Sequence, residues 1–539
     1  MMHLKLYNTL SKQLEALVPT NPREISFYTC GPTVYDDAHI GNFRSFLAAD
    51  LLRRWIESPL CTLKNDVNSG FTKNRTVVQV MNITDVGHMT DDQNADGAGQ
   101  DKMEAAAERI VEAKKSGKIP HDANVDPQDP AAVAHYFEQR FKDDAVALGL
   151  KVAIDAQSDP TLMPRASEHV EHMKVVIVDL LNRQAAYVAG NSGSRAVYFN
   201  TAAFPDYGKL SGNTLDQLQG GAGGRVDESQ QSEKMHAADF LLWKEDRTHK
   251  MRWDAPAHKD CDGWDQGYPG WHIECTAMAL SRLVNESLDL SAIKDATIDI
   301  HSGGEDNIFP HHECEIAQSC CFTGADSFAN HWFHARFLKV EGQKMSKSKG
   351  TMYILSDLTA KGIEPAAVRL ELIKTHYRAN ADFSMQGLKD SARIVQRWRK
   401  FLDAGLSGAP GELNTTVQER VAGFMNDDLN IAGAIGVINK WIKKTDTPTK
   451  ADAQLMQTFD GFLGVCSLKP TGSTSTDTGI AIYQPGVEPS EEIESLLTQR
   501  AEAKKAKDFA ASDAIRNQLS EMGINIMDKP GGKVEVAPK

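Results

Sequence analysis

The chain holds no apolar stretch near the roughly 20 residues that a membrane span requires, and Met1 to Pro22 lacks the apolar core of a signal peptide. A cytoplasmic protein with no membrane partner is the expectation. Cys-x-x-Cys pairs are also missing. The eight cysteines (Cys30, Cys61, Cys261, Cys275, Cys314, Cys320, Cys321 and Cys466) are spread through 539 residues. That spread excludes a secreted disulfide framework and a zinc ribbon, so any metal site must gather ligands from distant segments. Positive charge is scarce: 59 Lys and Arg against 73 Asp and Glu leave a formal net charge of -14. General affinity for nucleic acid is thereby excluded, although a local basic groove is not. Gly220-Gly221-Ala222-Gly223-Gly224 lacks the following Gly-Lys-Ser/Thr of a P-loop.

What is present is ordinary globular composition, 41% hydrophobic and 24% charged, in a chain long enough for about three to four domains. Glu24 to Thr29 has strand character. Asn42 to Trp55 then carries Phe43, Phe46, Leu47, Leu51, Leu52 and Trp55 at helical spacing, and Thr76 to Ile83 reads as the next buried strand. A helical run is predicted near Met103 to Lys115, with helices over Ala132 to Leu148 and Ser167 to Gln184. Short strands follow at Ala186 to Val188 and Ala196 to Phe199. The parallel sheet resumes with Thr297 to His301, a helix beginning at Pro310, and a strand from Phe333 to Val340. The α/β reading is therefore a sheet whose first half is 1–125, an inserted domain at 126–252 and a second half at 253–363. A helical bundle at 364–466, a linker at 467–489 and a small domain at 490–539 complete it. Ser58 to Arg75 and Gln217 to Met235 read as surface insertions.

Two segments carry phosphate chemistry. His39-Ile40-Gly41-Asn42 stands where a strand runs through a loop into a helix. A helix N-terminus offers unpaired N–H groups and a positive dipole end, and the imidazole of His39 and amide of Asn42 add donors. Lys344-Met345-Ser346-Lys347-Ser348-Lys349-Gly350 gathers three lysines and two hydroxyls in a loop, a group able to neutralise a triphosphate. Elsewhere His311 and Glu315 stand at i and i+4 on one helical face. With Cys30 and Cys275 they offer two sulfurs, a nitrogen and an oxygen, a set that suits tetrahedral zinc. Buried free cysteines are the plainer reading of the same spacing, and Cys314, at i+3 from His311, is a rival ligand.

Together the first two segments resemble the "HIGH" and "KMSKS" signatures of class I aminoacyl-tRNA synthetases. The likeness implies a split Rossmann-type catalytic domain with an inserted connective domain, and attack of an amino-acid carboxylate on ATP. Asn42 departs from the signature, which ends in a second His. The words Phe27-Tyr28-Thr29-Cys30-Gly31-Pro32-Thr33-Val34-Tyr35-Asp36, Asn82-Ile83-Thr84-Asp85, Pro269-Gly270-Trp271-His272-Ile273-Glu274-Cys275 and Phe309-Pro310-His311-His312-Glu313 resemble the cysteinyl-tRNA synthetase family, over about Leu4 to Val534. The resemblance implies Cys30, Cys275, His311 and Glu315 as ligands of one zinc that takes the substrate thiolate. It assigns Thr84, Trp271 and Asp306 to the amino acid, with Asp306 a partner of its ammonium group. ATP would contact Gly41, Lys344, Met345, Ser346, Lys347 and Ser348, with His39, Asn42, Lys344 and Lys347 catalytic and magnesium arriving with the nucleotide. No hydrolytic editing is expected.

Gln499 to Phe509, Asp513 to Arg516 and Glu521 to Ile524 resemble the anticodon-binding domain of the same family. The likeness places Lys504, Asp513 and Asp528 where bases of tRNA-Cys are read, with Lys504 standing where Arg is common. A cysteine ligase acting on an amino sugar shares the catalytic core but lacks such a domain, and a non-catalytic tRNA-binding paralogue would not need both ATP signatures. The expected enzyme takes cysteine, ATP and tRNA-Cys and works as a monomer.

Overall fold

The structure, a computed structural model, describes residues 3–538 except 67–74, 88, 92–97, 102–105, 109, 112–113, 115–124, 214–232, 346–350, 469–475, 484–486, 488, 507 and 529–532. Residues 67–74 of the first expected insertion, most of the second and most of the 103–115 helical run lie outside the described residues.

The central sheet is parallel and four-stranded. Strands β1 (Glu24–Thr29), β2 (Thr76–Met81), β3 (Ile298–Gly304) and β4 (Ala329–Ala335) lie side by side in the order β4-β3-β1-β2. Side-chain alternation along β1 sends Phe27 to one face and Tyr28 to the other, both fully buried. On the Phe27 face packs helix α1 (Ile40–Glu57), whose Phe43 stacks on Phe141 at 5.6 Å between ring centroids. On the Tyr28 face pack α2 (Trp271–Leu283) and α3 (Glu313–Thr323). Cys275 and Cys314 thus lie in the second core, and the signature helix borders the first.

Between β2 and β3 sits an antiparallel sheet of Ala186–Ala189, Ala196–Phe199, Phe240–Glu245 and Gly267–Pro269. Its last strand pairs with Phe240–Glu245 beyond the expected boundary at 252, then runs through Gly270 directly into α2. Conversely, Pro130–Ala147 packs Phe137 and Phe141 into the core of α1, so that part of the insertion belongs with the first half of the sheet.

Three further expectations shift. The helix expected from Pro310 begins at Glu313. Ile308–His312 forms a wider turn with a cis Phe309–Pro310 bond and Phe309 extended (φ -141, ψ 134), since a residue before proline is pushed out of the helical region. The single strand expected over Phe333 to Val340 divides at Arg336. β4 stays in the main sheet, and β5 (Leu338–Val340) pairs with β6 (Gln343–Lys344) and with β7 (Ala381–Phe383). The third concerns the linker, where Ala481–Tyr483 pairs with Val534–Pro538, because Ala481 and Tyr483 alternate into the small terminal core beside Leu497, Leu519 and Val536.

Helices Met385–Leu406, Thr415–Asn426, Ile431–Lys444 and Lys450–Leu463 form the bundle. Among the described residues no helix is long and apolar enough to cross a membrane.

Candidate active site

Cys30 follows β1 directly, and its N–H donates to Ser302 O on β3 at 2.9 Å. The next residue must be glycine: a Cβ on Gly31 would overlap the Asn82 carbonyl, and its N–H donates to Asn82 Oδ1 at 2.8 Å. The turn between β1 and the end of β2 is thereby fixed, and Cys30 meets α2 and α3 at the carboxyl edge of the sheet. Ligands collect at such edges in open parallel sheets.

One ligand atom each from Cys30, Cys275, His311 and Glu315 falls within 4.8 Å of every other, and all four residues are buried. These are the four residues named from the sequence, now a cluster able to hold a metal ion. Burial works against both thiolates. Even so, the Cys30 S–H donating toward Cys275 Sγ (3.9 Å), with the nearby His311 ring, brings Cys275 down to about 7, while Cys30 is pushed up. Burial likewise opposes charge on His311 and Glu315. Glu315 Oε1 lies 2.9 Å from His311 Nε2 and Oε2 lies 2.9 Å from His301 Nε2; Glu315 is held at about 2 and His311 is raised to about 10.

A second donor set shares the place: Cys30, His301, His312 and Glu315 also satisfy the 4.8 Å criterion. His312 Nε2 lies 3.2 Å from Cys30 Sγ, and its Nδ1 lies 2.7 Å from His334 Nε2, whose own Nδ1 reaches Thr9 Oγ1 at 2.8 Å. His272 Nδ1 sits 3.0 Å from His311 Nδ1. Sequence reading missed His272, His301, His312 and His334. The only local signals were the His311-His312 pair and His272 between Trp271 and Glu274; His301 and His334 lie on separate strands that no spacing rule connects. The rival Cys314 is absent from both sets, its sulfur instead 3.4 Å from Tyr207 Oη.

Trp271, half-buried, stacks on His311 with ring centroids 4.2 Å apart and planes inclined by 22°. Thr84 is buried, donating to Glu274 Oε2 at 3.1 Å and accepting from Asn82 Nδ2 at 3.0 Å. Asp306 is exposed in the turn Glu305–Asn307 that follows β3.

His39 is the N-cap of α1. Its Nδ1 accepts from the Asn42 N–H at 3.1 Å, and Asn42 Oδ1 accepts from the His39 N–H at 3.0 Å, a reciprocal capping box. An accepting Nδ1 puts the ring hydrogen of neutral His39 on Nε2. The segment also meets the far side of the lysine-rich loop: Ile40 N–H donates to Tyr353 O at 2.9 Å, and a Cβ on Gly41 would collide with the Met345 side chain. Lys344 ends β6, and Ser346, Lys347 and Ser348 lie outside the described residues. At the far end of the chain Lys504 Nζ lies 2.6 Å from Asp528 Oδ2, and Arg500 holds both oxygens of Asp528 at 2.8 and 3.0 Å. Asp513 is exposed on the helix Phe509–Glu521.

A split parallel sheet, a helix capped by the His39 segment and a lysine-bearing hairpin facing it define a class I aminoacyl-tRNA synthetase. Comparison with known proteins agrees. The family described as tRNA synthetases class I (C) catalytic domain matches residues 16–393, and the cysteinyl-tRNA ligase anticodon binding domain matches residues 487–535. Cysteine–tRNA ligases of Salinibacter ruber and Solibacter usitatus are each 36% identical to the chain. The first covers 98% of this chain and 97% of its own, the second 98% and 99%. The ternary complex of Agrobacterium radiobacter K84 agnB2 LeuRS, tRNA and LeuAMS shares the fold, with a TM-score of 0.55 at 11% identity over 97% of each chain. The chain belongs to the cysteine–tRNA ligase family.

Proposed function

We propose that this chain activates cysteine with ATP and transfers it to tRNA-Cys. The cysteine carboxylate attacks the ATP α-phosphorus, the bond to the β-phosphate oxygen breaks, and pyrophosphate leaves with cysteinyl-adenylate formed. A hydroxyl of the terminal adenosine then attacks the activated carbonyl, releasing AMP. The supporting observation is the buried Cys30, Cys275, His311 and Glu315 cluster beneath Trp271, close to the carboxyl edge of the sheet.

Its donor set fits zinc, with two sulfurs, one imidazole nitrogen and one carboxylate oxygen. Zinc bound there would supply a strong preference for a thiolate over the hydroxyl of serine, making hydrolytic editing unnecessary. We assign Cys275 and His311 to the inner set, because two thiolates match that metal best. His301 and His312 then act from outside it, His301 orienting Glu315 through Oε2 and His312 orienting Cys30. Trp271 closes the pocket over His311, Thr84 steadies Glu274, and Asp306 holds the substrate ammonium group.

For ATP, His39 donates from Nε2 to the phosphates. The Asn42 main-chain N–H holds that ring at Nδ1, and the Asn42 side-chain Oδ1 accepts from the His39 main-chain N–H, which gives the amide at the fourth signature position a role in fixing the cap. Lys344 and Lys347 neutralise the departing pyrophosphate, and Gly41, Met345, Ser346 and Ser348 belong to the ATP-binding set. Magnesium arrives held mainly by the phosphates. Lys504, Asp513 and Asp528 read the anticodon, in a monomer working in the cytoplasm.

Cysteine-dependent ATP–pyrophosphate exchange followed by charging of tRNA-Cys tests the reading. Both activities are expected. Exchange without charging identifies a ligase for another acceptor, and neither activity in a folded, zinc-loaded sample identifies a non-catalytic paralogue.

A further inference from the structure

Arg44 lies two residues beyond Asn42 on α1 and is 2% exposed. Its guanidinium makes four hydrogen bonds, each to a main-chain carbonyl. Nε donates to Arg336 O at 3.1 Å and Nη1 to Leu372 O at 2.7 Å, while Nη2 donates to His376 O at 3.1 Å and Ala379 O at 2.8 Å. No carboxylate pairs with it among the described residues, and burial pulls the guanidinium below its ordinary value. A buried cation served by carbonyls alone is an expensive way to hold a helix in a core, where an apolar side chain would pack at less cost.

Leu372 O and His376 O lie at and just beyond the C-terminal end of the helix Pro365–Ile373, and the other two carbonyls stand at the approaches to one sheet. Arg336 lies two residues before β5 and Ala379 two residues before β7, the neighbouring strands of the small sheet that carries Lys344 on β6. The same two approaches are stitched together by Arg336 N–H to Tyr377 O (2.8 Å) and Ala381 N–H to Phe337 O (3.2 Å). One planar side chain on the helix of His39 therefore grips the approaches to both β5 and β7, and β5 opens the hairpin that leads into the lysine-rich loop.

We infer that Arg44 is a positioning residue that sets the His39 end of α1 against the β5–β7 sheet, so that the His39 and Lys344 segments stand in one fixed register for ATP. The inference rests on the assignment of those segments to ATP. It requires arginine, because four carbonyls spread over residues 336 to 379 match a rigid fork with five donors, and lysine offers three donors at one point. Misplacing reacting groups by about 1 Å costs on the order of a hundredfold in rate.

The test uses the full-length, zinc-loaded chain in ATP–pyrophosphate exchange. Arg44→Met is expected to lower kcat/KM for ATP by about a hundredfold and Arg44→Lys by about tenfold, with zinc content and the KM for cysteine within about twofold of the parent. Should Arg44→Met fail to fold, Arg44→Lys carries the measurement. Asp428→Asn is the comparator. Asp428 accepts from Tyr377 Oη at 2.6 Å and Arg378 Nε at 2.7 Å, bracing the same 376–379 segment through hydrogen bonds that do not involve α1. A larger loss of ATP efficiency in Arg44→Lys than in Asp428→Asn at matched melting temperature supports the inference. Equal losses, an unchanged kcat/KM for ATP in folded Arg44→Lys, or a defect confined to cysteine KM would each overturn it. If the parent itself shows no exchange, the ATP assignment fails instead.

Discussion

The thiol–imidazole cluster and the charged surface of the small terminal domain are built on opposite terms. Cys30, Cys275, His311 and Glu315 are between 0% and 6% exposed, and their polar neighbours His272, His301 and His312 are buried with them. Around Asp528, by contrast, Lys504 is 39% and Arg516 47% exposed at the side chain, and only Arg500 is buried. On the proposed assignment the cluster receives a substrate that differs from serine by one atom, so that site must be dry and its donors immobile before the substrate arrives. A tRNA is large and anionic, and on the same assignment the charges around Asp528 that would meet it must be able to exchange protein partners for nucleic-acid ones. Exposed ion pairs contribute about 0–1 kcal/mol and are easily traded, whereas breaking a buried polar network is costly.

The contrast can be broken at either end. The largest effect is expected from Cys275→Ser, which should abolish stoichiometric zinc by elemental analysis and raise the KM for cysteine by about a hundredfold or more. Unchanged metal content would remove Cys275 from the inner set and leave His301 and His312 as the ligands. Next comes Lys347→Ala, for which single-turnover adenylate formation should slow by about a hundredfold with cysteine affinity retained. An unaltered activation rate would deny the loop its role.

At the exposed end, Asp528→Asn should leave exchange intact and raise the KM for tRNA-Cys by about tenfold in charging assays. Arg500, assisted by Lys504, holds the Asp528 carboxyl well below the usual carboxylate range. Its small contribution to stability is therefore present above the ordinary carboxyl value of about 4 and lost as the pH falls below it. Melting curves of the parent and Asp528→Asn should accordingly differ at neutral pH and converge in acid. Smallest of all, Lys504→Arg should change the tRNA KM by less than about threefold, because a planar fork can replace the ammonium group against Asp528. A change as large as that of Cys275→Ser would erase the distinction between the two regions.

Sequence alone determined the elements that local patterning controls. The β1–α1–β2 unit, the bundle helices and the two signature segments all follow from apolar periodicity and from residue types that suit phosphate. The four candidate metal ligands were legible only through whole words around Cys30, Cys275 and His311, since their spacing by itself suits many buried thiols. What only the tertiary structure decided are matters of register between distant segments. These include the division at Arg336, the late start of α3 after Phe309–Pro310, and the reach of the inserted sheet to Gly267–Pro269. His301 and His334 joined the cluster in the same way, and Arg44 found its carbonyls some 300 residues away in the chain. Periodicity reports which face of an element is buried. It carries no information about which buried partner, hundreds of residues distant, will occupy the other side of the contact.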